Sequence, residues 1–267
     1  MAEMTLTSTD GTKLAVRCTG HGSPIVLVHG AVGDVDTFAL IEGLLAERHS
    51  VWVYSRRGRG RSGDGPDYTY HCEVEDVLTV LATAGDGAHL FGHSGGAFYA
   101  LLATAQASSL RSLVLYELPL IDRLDASVVD GLVDEMETAL DAGAPDRALE
   151  LFLPLAGIVD DEVQALKALG PVWARFHAGV RLAPCEMRSA LRDGHDWRVG
   201  FDPPDVPTLY LHGEQTDAPM FPSPREVPDL LPNAQLHGLP RQRHLGFAFD
   251  PSTFAHAILE FTAAHNI

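Results

Sequence analysis

Lysine is nearly missing from this 267-residue chain: Lys13 and Lys167 are its only two, and arginine supplies the rest of the positive charge. Basic residues of both kinds number 19 against 36 Asp and Glu, a formal net charge of −17. A field of that sign repels phosphate backbones and anionic membranes, so neither a nucleic-acid nor a membrane partner is expected. Cysteine is scarce too. Cys18, Cys72 and Cys185 are odd in number and far apart, which yields neither a disulfide framework nor zinc-ligand spacing. That usage fits a reducing, cytoplasmic setting. No apolar run approaches the roughly 18 residues needed to span a bilayer. The opening MAEMTLTSTDGTKLAV has neither the basic nor the apolar stretch of a secretory signal, so none is expected. No repeat, low-complexity tract or metal motif stands out, and neither a metal nor a cofactor is expected.

What is present has a regular rhythm. Residues 4 to 18 alternate about an Asp10-Gly11 turn, which predicts a hairpin. Short continuous apolar runs follow: Ile25–Val28, Val51–Tyr54, Ala88–Phe91, Leu113–Tyr116 and Thr208–Leu211. Continuous runs suit strands covered on both faces of a parallel sheet. Helical spacing separates them at about 35–48, 71–84, 96–107 and 252–264. This order predicts an α/β fold with a mostly parallel, doubly wound sheet. Between about 121 and 203 the rhythm changes. Val129, Leu132, Val133, Met136 and Leu140 recur at helical spacing, and further helices are expected at about 145–153, 160–169 and 171–192. We therefore expect a core of residues 1–120 and 204–267 with a helical cap, residues 121–203, inserted over the strand ends. Open α/β sheets bind ligands there.

The strongest local signal is Gly92-His93-Ser94-Gly95-Gly96, which follows one of these strands and precedes a helix. It has the G-x-S-x-G form of a nucleophile elbow. A turn that tight strains the serine backbone and leaves no room for side chains beside it. It exposes the hydroxyl where a helix N-terminus favours developing negative charge. A serine hydroxyl needs a base. His244, after a last strand near Ala234–Leu236 and before the C-terminal helix, is the candidate. An orienting carboxylate should end a strand between the two. Asp217 and Glu117 both qualify, with Glu214 behind them. The Gly95 N–H and the Ala31 N–H, in His29-Gly30-Ala31-Val32-Gly33, are candidate oxyanion donors. His29 and His93 are read as structural or pocket-lining, and Trp173 and Phe176 in the cap as candidate substrate contacts. Two motifs compete for attention. Gly58-Arg-Gly60-Arg-Ser-Gly63 matches a dinucleotide fingerprint, but Asp64-Gly65-Pro66 forbids the helix on which a pyrophosphate would sit. Arg56, Arg57, Arg59 and Arg61 in the same segment are expected to pair with the chain's own carboxylates.

Taken together, the hairpin, Val28-His29-Gly30, Arg57-Gly58-Arg59-Gly60-Arg61-Ser62, the elbow, the helical cap and Arg243-His244 occur in an order that resembles the α/β-hydrolase superfamily over nearly the whole length. The resemblance implies that fold and a serine nucleophile. Dehalogenases and epoxide hydrolases of this fold would carry Asp at the elbow, where this chain has Ser94. The family's usual acid position is Thr216 here, with Asp217 one residue late. Some members take the acid from the preceding core strand, in segments resembling Leu115-Tyr116-Glu117-Leu118-Pro119, which favours Glu117 over Asp217. The expected activity is hydrolysis of a small or medium-sized, apolar carboxylic ester, thioester or lactone through an acyl-enzyme. The small-molecule substrate is the partner expected. Carbon–carbon hydrolysis, lyase or acyl-transfer chemistry on the same triad, and a non-catalytic ligand-binding role, are the alternatives. Oligomeric state is left open.

Overall fold

The computed structural model describes residues 1–65, 67–194, 196–199 and 201–266. Strands β1 (Ala2–Thr7) and β2 (Lys13–Gly20) form the hairpin, with Thr7 opposite Lys13 and Gly11 at the turn in a left-handed conformation. Then come β3 (Ser23–Val28), α1 (Ala39–Leu45), β4 (His49–Tyr54), α2 (Tyr70–Ala84), β5 (Ala88–His93), α3 (Gly95–Thr104) and β6 (Leu110–Tyr116). After five further helices the chain returns through β7 (Thr208–Gly213), α9 (Val227–Leu230), β8 (Ala234–Leu239), α10 (Gly246–Phe249) and α11 (Pro251–Ala264). Among the described residues these eight strands make one sheet in the order β1-β2-β4-β3-β5-β6-β7-β8. Only the pairings of β2, with β1 and with β4, are antiparallel.

The continuous apolar strands follow from burial on both faces. Successive residues of a strand point to opposite sides. Ile25 and Leu27 therefore pack with Phe38, Ile41, Phe254 and Ile258 of one helical layer. Val26 and Val28 pack with Val77, Ala97 and Leu101 of the other. From β3 the chain crosses to β4 on one side and returns to β5 on the other, so the strand order reverses between β3 and β5. The crevice at such a reversal is where open α/β sheets place their ligands.

The excursion between β6 and β7 is helical: α4 (Ala126–Asp141), α5 (Pro145–Leu155), α6 (Asp160–Ala168), α7 (Gly170–Val180) and α8 (Ala183–Gly194). Asp125 caps α4 by accepting from the Ser127 and Val128 N–H groups. Two helices differ from expectation. The single helix expected over 171–192 is broken at Arg181-Leu182, because Pro184 has no N–H to continue the ladder and disfavours helical backbone at the residue before it. The helix expected over 35–48 shrinks to α1. Asp34 and Thr37 make local side-chain-to-backbone bonds, and Arg17 takes the Val35 carbonyl and the Asp36 carboxylate. Asp34 and Asp36 thus do not cap α1. No helix among the described residues is long and apolar enough to cross a membrane.

Candidate active site

Ser94 sits on the turn between β5 and α3 with φ 55° and ψ −128°, backbone that non-glycine residues seldom adopt. Its N–H donates to the Tyr116 carbonyl at 3.0 Å, and its carbonyl accepts from the N–H groups of Ala97 and Phe98. The flanking glycines are a matter of space. A Cβ on Gly92 would lie 2.6 Å from Ala97 Cα, and one on Gly96 2.3 Å from the Val28 carbonyl oxygen.

Register brings the next group alongside. His93 pairs with Tyr116 and Tyr116 with Leu211, so Glu117, one step beyond β6, stands between the tips of β5 and β7. It too has a positive φ, 51°. Backbone strain of this kind persists only where surrounding bonds over-determine it, and here they do. Glu117 Oε1 accepts from the Gly213 N–H at 2.9 Å and from the Thr216 hydroxyl, while Oε2 lies 2.6 Å from His244 Nδ1. Both partners are buried. A carboxylate only accepts, so Nδ1 carries a proton, and the neutral form of the ring would then offer Nε2 as a lone pair. Phe221 stacks on the imidazole at 4.8 Å between centroids. The His93 Nε2–H donates to the His244 carbonyl at 2.9 Å. Burial, and secondarily the neighbouring His244, hold the His93 pKa well below the ordinary histidine value, so this support stays neutral.

Ser94 and His244 line the same cavity of about 470 Å³, which is bounded by β-strand tips on one side and by α5, α6 and α7 on the other. The two side chains are not hydrogen-bonded to each other. Gly30, Ala31, Phe152 and Phe176 also line this space. The Ala31 peptide is held rigidly. The Gly30 carbonyl accepts from His29 Nδ1 and from the Gly33 N–H, and the Ala31 carbonyl accepts from Arg59 Nε at 2.7 Å. A second, apolar cavity of about 80 Å³ also reaches Ser94 and Ala31, and adds Gly95.

Behind this surface lies a buried ion cluster, of which Glu186 reaches the wall of the smaller cavity. Arg56 reaches Glu73 on α2 at 2.7 Å and Glu186 on α8 at 2.6 Å. Arg59 reaches both of the same carboxylates, and the Tyr99 hydroxyl donates to Glu186 at 2.9 Å. Burial disfavours the charged forms, but Glu186 and Glu73 outweigh it for Arg56, and Arg56 and Arg59 outweigh it for Glu73. The Arg56 pKa is raised and that of Glu73 lowered, and both ions stay charged. Arg57 pairs separately with Asp76 and Asp10, whereas Arg61 is exposed and reaches Glu3. The arginine segment is thus matched by the chain's own carboxylates, and within it Gly58 lies against Leu182 and Gly60 against Ser55.

The structure therefore brings Ser94, His244, Glu117, Ala31 and Gly95 together, with His93 and Phe176 on the wall of the larger cavity. Three expected site residues lie elsewhere. Asp217 is exposed and makes no bond to His244; the place it was to fill belongs to Glu117, which the Thr216 hydroxyl supports. His29 is buried with Nδ1 on the Gly30 carbonyl and Nε2 accepting from the Arg56 N–H, outside either cavity. Trp173 packs into the core and donates its indole N–H to Asp146 at 2.8 Å. Sequence reasoning missed Glu186, Phe152 and Phe247, and named Thr216 only as the position where the family usually has its acid. Only Phe247, three residues after His244, had a local signal.

Comparison with known sequences and structures shows the family. The chain matches the alpha/beta hydrolase family over residues 25–257. It belongs to that family. An alpha/beta hydrolase from Sphaerobacter thermophilus superposes with a TM-score of 0.80 at 30% identity, covering 97% of this chain and 100% of its own. The non-heme haloperoxidase of Rhodococcus erythropolis is 28% identical over 90% of this chain and 92% of the relative. N-formylmaleamate deformylase from Pseudomonas putida is 36% identical, but over 39% of this chain and 40% of the relative's length. The α/β-hydrolase assignment makes this chain an enzyme of that fold.

Proposed function

We propose that the chain is a serine hydrolase acting on a small or medium-sized, apolar carboxylic ester, thioester or lactone, with Ser94 as nucleophile, His244 as general base and acid, and Glu117 as the orienting carboxylate. The observation that carries this reading is the buried Glu117–His244 bond at 2.6 Å, set on the wall of the cavity that Ser94 also lines. With its Nδ1–H fixed on Glu117, the imidazole offers Nε2 to the serine hydroxyl. The two need not touch before substrate arrives, since such contacts commonly tighten in the substrate complex.

The steps balance without a cofactor. Ser94 Oγ bonds to the substrate carbonyl carbon while its proton passes to His244 Nε2. The carbonyl electron pair moves to oxygen, and the N–H groups of Gly95 and Ala31 stabilise the anion. The tetrahedral adduct collapses and expels the leaving group, which takes the proton from His244. Water then repeats the sequence on the acyl-enzyme and releases the acid. In this reading α4 to α8 act as a cap that encloses the reaction. The lining of the larger cavity is mainly apolar, with Phe152, Phe176 and Leu166, and its Arg175 pairs with Asp34, which favours an apolar substrate.

Intact mass after treatment with a fluorophosphonate tests the proposal, because the reagent bonds to a serine whose base and anion site are assembled. One adduct is expected on the wild type and none on Ser94→Ala. An unlabelled wild type, or a labelled mutant, would remove Ser94 from the role.

A further inference from the structure

The site touches two chambers of unequal size, and the chemistry dictates which part of the substrate occupies each. Both chambers reach Ser94 and Ala31. His244 lines only the larger one, of about 470 Å³, and Gly95 only the smaller, of about 80 Å³. Phe152 and Ala156 of the inserted helices form walls of both. Around a tetrahedral carbon bonded to Ser94 Oγ, three substituents remain to be placed. The anionic oxygen belongs with the Ala31 and Gly95 N–H groups. The leaving oxygen must lie within reach of His244, which returns the proton to it. The carbon substituent is left with the side that His244 does not reach.

We infer that the smaller cavity is the acyl site and the larger one takes the leaving group, so that the substrates are short-acyl esters of bulky apolar alcohols or phenols. This rests on the serine-hydrolase reading above. A water-sized group needs about 10–15 Å³ on this measure, so the smaller cavity holds on the order of five heavy atoms. Its lining is apolar, with Phe98, Ile121, Met187, Ala190 and Met220. The single carboxylate in its wall, Glu186, has Oε1 bonded by Arg56 and Tyr99 and Oε2 by Arg59. No charge is left there to recruit a polar acyl group. After acylation, departure of the alcohol empties the chamber next to His244, which is where the deacylating water has to stand.

Octyl acetate and methyl nonanoate are isomers that divide the same atoms oppositely between acyl and alcohol. Their kcat/KM values, read by titration of the released acid, decide the assignment on an enzyme already shown to be labelled at Ser94. We expect octyl acetate to be preferred by at least about tenfold, the discrimination a hydrophobic pocket exerts against even one surplus methylene. Along a series of octyl esters, Met187→Ala should extend the tolerated acyl chain and Ala190→Met should shorten it. Ser94 labelling of each variant separates an altered pocket from a failure to fold. Equal rates, or preference for methyl nonanoate, would overturn the assignment. So would the absence of turnover of either ester by an enzyme that labels. An enzyme that does not label would instead bring down the serine-hydrolase reading, and this inference with it.

Discussion

Two sets of buried carboxylates lie within this one site, and they are put to opposite uses. Glu186 and Glu73 are engaged by the guanidinium groups of Arg56 and Arg59, with Tyr99 adding a donor to Glu186. In that cluster each charge is answered, and the result is a strut tying α2, α8 and the loop after β4 together. Glu117 is engaged by the Gly213 N–H, Thr216 and His244, but its third partner is a ring with a second nitrogen. No described residue bonds His244 Nε2. Burial and charge are common to both regions. A ring nitrogen without a hydrogen-bond partner, beside a cavity, distinguishes the reactive one.

Substitutions should divide the two regions in the same way. Ser94→Ala should have the largest effect, lowering kcat by about four to six orders of magnitude with the fold intact. Glu117→Gln keeps the shape of the carboxylate but no longer dictates the tautomer, and should lower kcat by about 10⁴-fold. Asp217→Asn, on an exposed residue, should leave kcat within about twofold, as solvated surface groups do. Glu186→Gln should act the other way round. Removing one partner of a buried ion cluster typically costs about 3–5 kcal/mol, so its denaturation midpoint should fall steeply while kcat changes far less than in Glu117→Gln. If Glu186→Gln were to match Glu117→Gln in kcat at unchanged stability, the division would fail.

Acid should show a smaller effect on stability. Burial holds the pKa of His89 down to about 4, and it holds those of His29 and His93 well below the ordinary histidine value. The unfolded chain therefore takes up these protons first. Stability is fully present above the unfolded histidine pKa of about 6.5 and declines as pH falls below it, toward the folded value. A thermal midpoint that falls between about pH 7 and pH 5 is expected, and His89→Asn should blunt the fall. A flat profile would mean that these rings are not held neutral.

Much of this arrangement is legible in the sequence because it is local. The elbow can be read from five consecutive residues, since sterics around Gly92 and Gly96 act within that turn. Strands β3 to β7 can be read because both faces of the sheet are covered and the runs are unbroken. The acid was ambiguous for a different reason. Glu117 and Asp217 each follow a strand, and only the β5–β6–β7 register decides which tip reaches the imidazole. Glu186 was not legible at all. Its partners Arg56 and Arg59 lie more than a hundred residues away in the chain, and on α8 it reads as one more charge on an amphipathic helix. The α7–α8 break was signalled by Pro184, but apolar spacing continues across it and concealed the stop.

The pairing of Glu117 with His244 is the centre of this account, and kcat of Glu117→Gln, measured beside its thermal midpoint, tests it most directly. The account predicts turnover lower by about four orders of magnitude in a protein that melts near the wild type. Turnover within tenfold of wild type, in a protein equally well folded, would contradict it and detach Glu117 from the chemistry.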